Sequence, residues 1–319
     1  MWKTILRRVL LMIPQIIILS LFVFILAKMM PGDPFTGLIN PQTSASQIAQ
    51  IRQEAGLNDP WPVQYFRWVG NALHGNFGLS YQFHKPVIDL ISERAVNTLY
   101  LAVFSVILTY LISIPLGIWA GRYQGSLIDN SIQFYNFVSI SVPSFVWYLL
   151  AIALFGFVWH IFPTSGSVSV QASGFIGVTL SRLYHIILPG VLIALMSTAG
   201  NIQYLRSGII DNQLEDYVRT ARSKGVPERV VFNKHILRNS LLPIAAFFGN
   251  VITGLLGGSV FAETIFSYPG MGKLFIDSVQ ARDYSVMTAL IVMYGFLTLL
   301  GNLLSDIIMS IVDPRIRID

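Results

Sequence analysis

Between Arg94 and Arg122 no side chain carries a charge, and most are apolar. A soluble domain has no way to bury such a run and still keep a polar surface. Bilayer hydrocarbon is about 30 Å thick, and an α-helix crosses it with roughly 20 apolar residues. The segment therefore predicts a transmembrane helix over residues 99–120. Five further segments meet the same test: 9–30, a run within 130–159, 186–205, 242–262 and 284–305. The chain of 319 residues is 12% charged, where soluble domains carry about 25%. The expected fold is all-α, one polytopic membrane domain over 1–319 with six transmembrane helices.

The third run is too long for one upright crossing and too short for two. Pro143 stands in its middle, and proline removes a backbone bond and clashes with the preceding turn. One kinked or tilted helix is expected there. Basic residues set the orientation. Lys3, Arg7 and Arg8 precede the first run, seven cations from Arg206 to Arg238 separate the fourth from the fifth, and Arg315 and Arg317 follow the sixth. Six crossings put these regions on one side, expected to be the cytoplasm, with both termini. The first run has the basic start of a signal peptide, but Lys28, Met29, Met30 and Pro31 follow it where small residues would mark cleavage; it is read as an uncleaved anchor.

Residues 31–97 then face outward and form a small ordered cap. Residues 44–55 and 62–73 repeat apolar side chains at helical spacing, and Pro86 opens a third short helix that runs into the second span.

Several chemistries lack their residues. Cysteine is absent, so no disulfide or thiolate site exists, and the five histidines show no metal-ligand spacing. No cofactor or metal is expected. No span carries a charge near its centre, which argues against a carboxylate proton relay; Lys28, Glu263 and Asp306 stand near span ends. The fragment Gly270, Met271, Gly272, Lys273, Leu274 suggests a phosphate loop, but Ser267 replaces its first glycine and Leu274 its hydroxyl. Any ATP-driven work must come from another polypeptide. The net charge of +5 reads as a topology signal and not as a nucleic-acid surface.

The polar loop of residues 213–243 carries the functional signal. Residues 213–223 read as a short helix with Tyr217 and Ala221 on one face. Gly225 ends it, and Pro227 opens a second helix leading into the fifth span. The run from Tyr217 through Arg219, Thr220, Ala221 and Lys224 to Gly225, followed by Leu242 and Pro243, resembles the EAA-type loop of ABC importer permeases of the oligopeptide, dipeptide and nickel group, and most closely the B-type oligopeptide subunit. The resemblance extends along the chain through Pro31–Pro34, Gly56, Leu57, Pro60, Gln64, Trp68, Gly75–Ser80, Pro86, Pro143, Glu263, Thr264, Phe266, Pro269, Gly270, Gly272, Arg282–Tyr284 and 313–317. One departure stands out: the leading acid of the wider family is Arg219 here, so the acidic contact to the ATPase does not carry over.

The resemblance implies a second homologous permease subunit, two cytoplasmic ABC ATPases, an external substrate-binding protein and a peptide substrate, in a bacterial plasma membrane whose lipid surrounds the spans. Nickel chelates or another small solute are the alternative cargo; a channel or membrane-embedded enzyme is the alternative class. ATPase coupling falls to Tyr217, Arg219, Thr220, Ala221, Lys224 and Gly225. Polar span residues that can line a path are Ser141, Ser144, Gln203, Asn250 and Thr253, or they serve helix–helix bonding. Gly254 and Gly258 form a GxxxG pair, and Gly249, Thr253 and Gly257 repeat beside it, a face for close helix approach at a subunit interface, at the pore or within the bundle.

Overall fold

The computed structural model describes residues 2–29, 58–256 and 259–312. Every regular element in them is helical, apart from one isolated antiparallel bridge between Leu79 and Pro86. The order is α1 (Trp2–Met29), α2 (Trp61–Leu73), α3 (Val87–Arg122), α4 (Leu127–Ser141), α5 (Ser144–Ala151) continuing into a π-helical segment Ile152–Val158, and α6 (Gly174–Gln213). Then come α7 (Asp216–Ser223), α8 (Glu228–Val230), a second π-helical segment Val231–Leu237, and α9 (Arg238–Ser240). The last are α10 (Leu242–Leu256), α11 (Val260–Ile265), α12 (Met271–Gln280) and α13 (Tyr284–Val312).

Among the described residues, four helices are long and apolar enough to cross a membrane: Ile5–Met29, Val87–Arg122, Gly174–Gln213 and Tyr284–Ile311. All four extend past the apolar runs that predicted them, and two do so by several turns. Helix α3 has 36 residues and α6 has 40, about 54 and 60 Å at the α-helical rise. Pro86 precedes α3 with φ −54° and ψ 135°, so the short third helix expected before the second span is its first turns. Asp89 in that turn and Arg122 in the last complement the helix dipole.

Two expectations change. The third run is not one kinked helix: α4 and the helix from Ser144 to Val158 meet at 95°. Val142 ends α4 in extended conformation, the one favoured for the residue before a proline. Counted as one broken span, the pair makes a fifth crossing candidate. The fifth run is not one continuous helix either. Helix α10 has 15 described residues, about 22 Å, Ser259 is not helical, and α11 begins at Val260. Residues 44–55 lie outside the described residues, while 62–73 is helical as α2.

Helix α3 is the mast of the bundle. Near its start Val87, Leu90 and Ile91 pack with Met271 and Leu274 of α12 and Val286 and Leu290 of α13. Farther along, Leu101 joins Tyr148, Ile186, Ala262 and Phe266. Toward its end Tyr110, Ile114 and Ile118 meet a third cluster built from α6, α7 and the second π-helical segment. Its contact with α6 is the most extensive between any two helices, followed by α10 with α13. Close approach in the second pair depends on Gly249, where a Cβ would lie 2.6 Å from the Ser305 nitrogen and 2.7 Å from the Gly301 oxygen. Helix α1 is peripheral and rests on α13 and α2. Edge-on contact of Phe24 with Tyr65 (5.5 Å) and a hydroxyl hydrogen bond between Ser20 and Tyr65 (2.8 Å) hold it to α2.

Candidate functional site at the Arg219 end of the bundle

Helix α7 starts at Asp216, not at residue 213. Gln213 still belongs to α6, and the chain turns at Leu214 and Glu215. The turn lets a short polar helix bury two side chains. Val218 is fully buried and Ala221 nearly so, against Leu205 and Ile209 of α6, Val231, Phe232 and Ile236 of the π-helical segment, and Ile244 of α10. Tyr217, expected to share the face of Ala221, stands at the border, 37% exposed. Its hydroxyl donates to Asn212 Oδ1. The Asn212 amide in turn donates to Gly208 O at 2.7 Å and to Ser240 Oγ at 3.3 Å. That chain of bonds ties α6, α7 and α9.

Gly225 makes the elbow. Its φ of +72° lies in the left-handed region that side chains with a Cβ disfavour. Its N–H donates to Arg222 O at 2.9 Å, and Val226 N to Ala221 O at 3.2 Å, the bond pattern that closes a helix end on glycine. Two charge contacts lock the elbow. Arg222 donates to both Glu228 oxygens, at 3.1 and 2.8 Å. That bond, more than their Coulomb attraction, holds the Glu228 carboxyl below its usual range and raises the Arg222 guanidinium above its own. Arg122, at the end of α3, lies over the Phe232 ring, 4.8 Å from its centroid. Arg219, Thr220 and Lys224 remain exposed on the far side of α7.

Deeper in the bundle, α4 and α6 are joined by polar rungs, of which the sequence reading singled out Gln203 alone. Arg206 grips Asp129 with two bonds of 2.7 and 2.8 Å, and the Asp129 side chain is 2% exposed. Gln203 donates to Gln133 Oε1 at 2.8 Å, and Tyr135 bonds Thr198 Oγ1 and Leu195 O at 2.7 Å. Asp129 lies in the first turn of α4, where the N-cap Ser126 accepts from its N–H. Asn136 is fully buried with neither amide atom partnered.

The five path candidates stand in different settings. Ser141 and Ser144 flank the break at Pro143, and Gln203 is engaged by Gln133. Thr253 is buried and donates to Gly249 O of its own helix at 3.1 Å. Asn250 has no described side chain. Gly254 is exposed with nothing within 4 Å of an added Cβ, and Gly257 and Gly258 lie outside the described residues.

The opposite end of α3 carries a second polar assembly. Glu263 is fully buried and accepts from Thr98 Oγ1 at 2.9 Å, Gly272 N at 2.6 Å and Lys273 N at 3.1 Å. A Cβ at Gly270 would fall on that carboxyl. Asp283, also buried, accepts from Ser80 Oγ and from Gln82 N at 3.2 Å, and caps α13 through Val286 N at 3.3 Å. The described residues hold no cluster of three or more His, Cys, Asp or Glu able to bind a metal.

Comparison with known proteins decides the family. Residues 113–318 match the model of the binding-protein-dependent transport system inner membrane component, and residues 1–102 match that family's N-terminal model. The chain belongs to this family of ABC importer permeases. It is 41% identical to the oligopeptide transport system permease protein AppB of Bacillus subtilis, over 98% of each chain. It is 34% identical to the glutathione transport system permease protein GsiC of Escherichia coli, over 99% of each. Among solved structures, the inward-facing MetNI methionine ABC transporter aligns with TM-score 0.52 over 70% of this chain and 96% of that one, at 15% identity. An amino acid ABC transporter aligns at 0.51 over 72% and 94%, at 19% identity. Both show a shared fold. The permease is thus an all-helical, multi-pass component of a bacterial inner membrane.

Proposed function

We propose that this permease is one of two transmembrane subunits of an ATP-driven importer of peptides, and that α7 is where it receives mechanical work. The anchored and elbow-locked α7 carries this reading. Its apolar side is buried against α3, α6 and the π-helical segment, so a force applied to its exposed side is borne by the bundle. Tyr217, Arg219, Thr220, Ala221, Lys224 and Gly225 make up the coupling unit, with Ala221 seating it and Gly225 turning it.

The chain crosses the membrane six times, with its termini and α7 in the cytoplasm. The basic residues at α7 support that orientation, and α10 followed by α11 supports an interrupted fifth crossing. A homologous permease subunit, two cytoplasmic ATPases and an external binding protein complete the machine. Helices α4, α5 and α10 contribute Ser141, Ser144, Asn250 and Thr253 near the path in at least one state of the cycle, and Gly254, Gly257 and Gly258 lie toward the second subunit. Peptide cargo is supported by the relatives named for oligopeptides and for glutathione, itself a small peptide.

The test is reconstitution of the whole complex in proteoliposomes. ATP-dependent accumulation of a labelled oligopeptide delivered by the binding protein is expected. Accumulation of a nickel chelate but of no peptide overturns the cargo, and uptake without the ATPases overturns the mechanism.

A further inference from the structure

Which chemistry must a partner offer to α7? Its exposed side carries three cations, and they are not equivalent. Arg222 is committed inside the chain, with both Glu228 oxygens in its grip. Arg219 is 69% exposed, and its nearest carboxylate oxygen is that of Asp216, 3.5 Å away on a side chain itself 95% exposed. Lys224, exposed at the end of the helix, has no carboxylate within ion-pair distance among the described residues. The acids Glu215 and Asp216 sit together at the start of α7, so the helix has an acidic head and a basic tail. Arg229 and Lys234, both exposed, extend the basic side beyond Gly225.

We infer that the groove receiving α7 is acidic where it meets the tail of the helix, with carboxylates placed for Arg219 and Lys224. This rests on the docking reading above and adds the charge pattern of the partner. Helical rise separates the two cations by about 7–8 Å along the axis, a spacing that two carboxylates on one partner helix or loop can match. Opposite charge across such a contact fixes register and rejects wrong partners. Here it selects ATPases whose groove is acid-lined and disfavours those built for a helix with an acid at the position of Arg219.

The experiment measures retention of the ATPases on the intact permease complex in nanodiscs as NaCl is raised. Wild-type retention is expected to fall with salt, as exposed ion pairs are screened. Arg219→Glu with Lys224→Glu is expected to weaken retention by about tenfold or more at low salt, whereas Arg219→Lys with Lys224→Arg keeps it. Wild-type retention that ignores salt, or full retention by the doubly reversed variant, overturns the acidic groove. Gly225→Pro separates the two levels of the argument. If it releases the ATPases while the charge reversal does not, docking stands and the acidic groove fails. If neither releases them, docking itself fails. Retention that follows the phosphatidylglycerol content of the nanodisc and not the side-chain charge assigns the basic face to lipid, and also overturns the proposal.

Discussion

Thr98 and Glu263 stand 165 positions apart and meet side chain to side chain at 2.9 Å. Thr98 Oγ1 also accepts from Met271 N at 2.8 Å, while Glu263 Oε2 takes Gly272 N and Lys273 N. The first three N–H groups of α12, which no helix can satisfy from within, are therefore bonded from α3 and α11.

Removing the carboxylate should loosen this end of the bundle. Glu263→Ala leaves the buried Gly272 N–H unsatisfied, at about 1–3 kcal/mol, and the half-buried Lys273 N–H with it; Glu263→Gln should cost less because it keeps an amide oxygen. Gly270→Ala should be severe alone and milder in the Glu263→Ala background, because the clash is with that carboxyl. Thermal unfolding of the four purified variants checks this; additive shifts would rule out the contact as the cause.

The Asp129–Arg206 pair should behave as a unit. Arg206→Met strands a carboxylate that is 2% exposed, and breaking one side of a buried pair costs about 3–5 kcal/mol. Asp129→Leu combined with Arg206→Met should recover much of that loss. A double variant no more stable than Arg206→Met contradicts the pairing. Because the pair joins α4 to α6, hydrogen exchange in Leu127–Ser141 should rise in the single variant and fall back in the double.

Asn136 should be a position where a polar residue weakens the fold. Its amide is buried without partners, and an unsatisfied buried polar group costs about 1–3 kcal/mol. Asn136→Leu, similar in volume, should match or exceed wild-type thermal stability in detergent. A clear loss would mean that the amide is bonded in the working protein.

The elbow should loosen in acid. Glu228 titrates below its usual range because of Arg222, so the pair's stabilisation is complete above the unfolded carboxylate pKa and is lost as pH falls through the lower folded one. Proteolysis within Asp216–Ser223 should rise over that acid window in the wild type. Glu228→Gln should show the faster cleavage already at neutral pH with no acid step. An identical acid step in both proteins would assign it to another group.

Elements whose cause is local were legible in the sequence. Apolar length marked α1, α3, α6 and α13, Pro86 marked the start of α3, and Gly225 marked the elbow; Pro143 marked a disturbance, but a kink was expected where the structure has a 95° break. Elements set by contacts distant in sequence were not. Nothing in residues 213–216 announces a turn at Leu214 and Glu215; the turn exists because Val218 and Ala221 must face Ile209. The non-helical Ser259 sits inside a run that carries no charge. Glu263 looked like a charge at a span end, and only Thr98 and the start of α12 make it a buried acceptor. Arg206 looked like a topology signal until Asp129 was found opposite it. The bond from the Thr253 hydroxyl to the Gly249 carbonyl of its own helix, common for threonine in apolar helices, also has no mark in the sequence.

Helix α6 carries Pro189 within it and ends at Gln213, directly before α7. The arm from that proline to the helix end is about 37 Å long at the α-helical rise, so a swing of about 10° about the proline would carry its tip roughly 6 Å. Ile209 near the tip shares one buried cluster with Val218 and Ala221 of α7, and through it such a swing would reach α7. The arrangement is that of a lever with its handle fixed to the arm: a modest angular change at one end of α6 becomes a displacement about as large as one helical turn at the other.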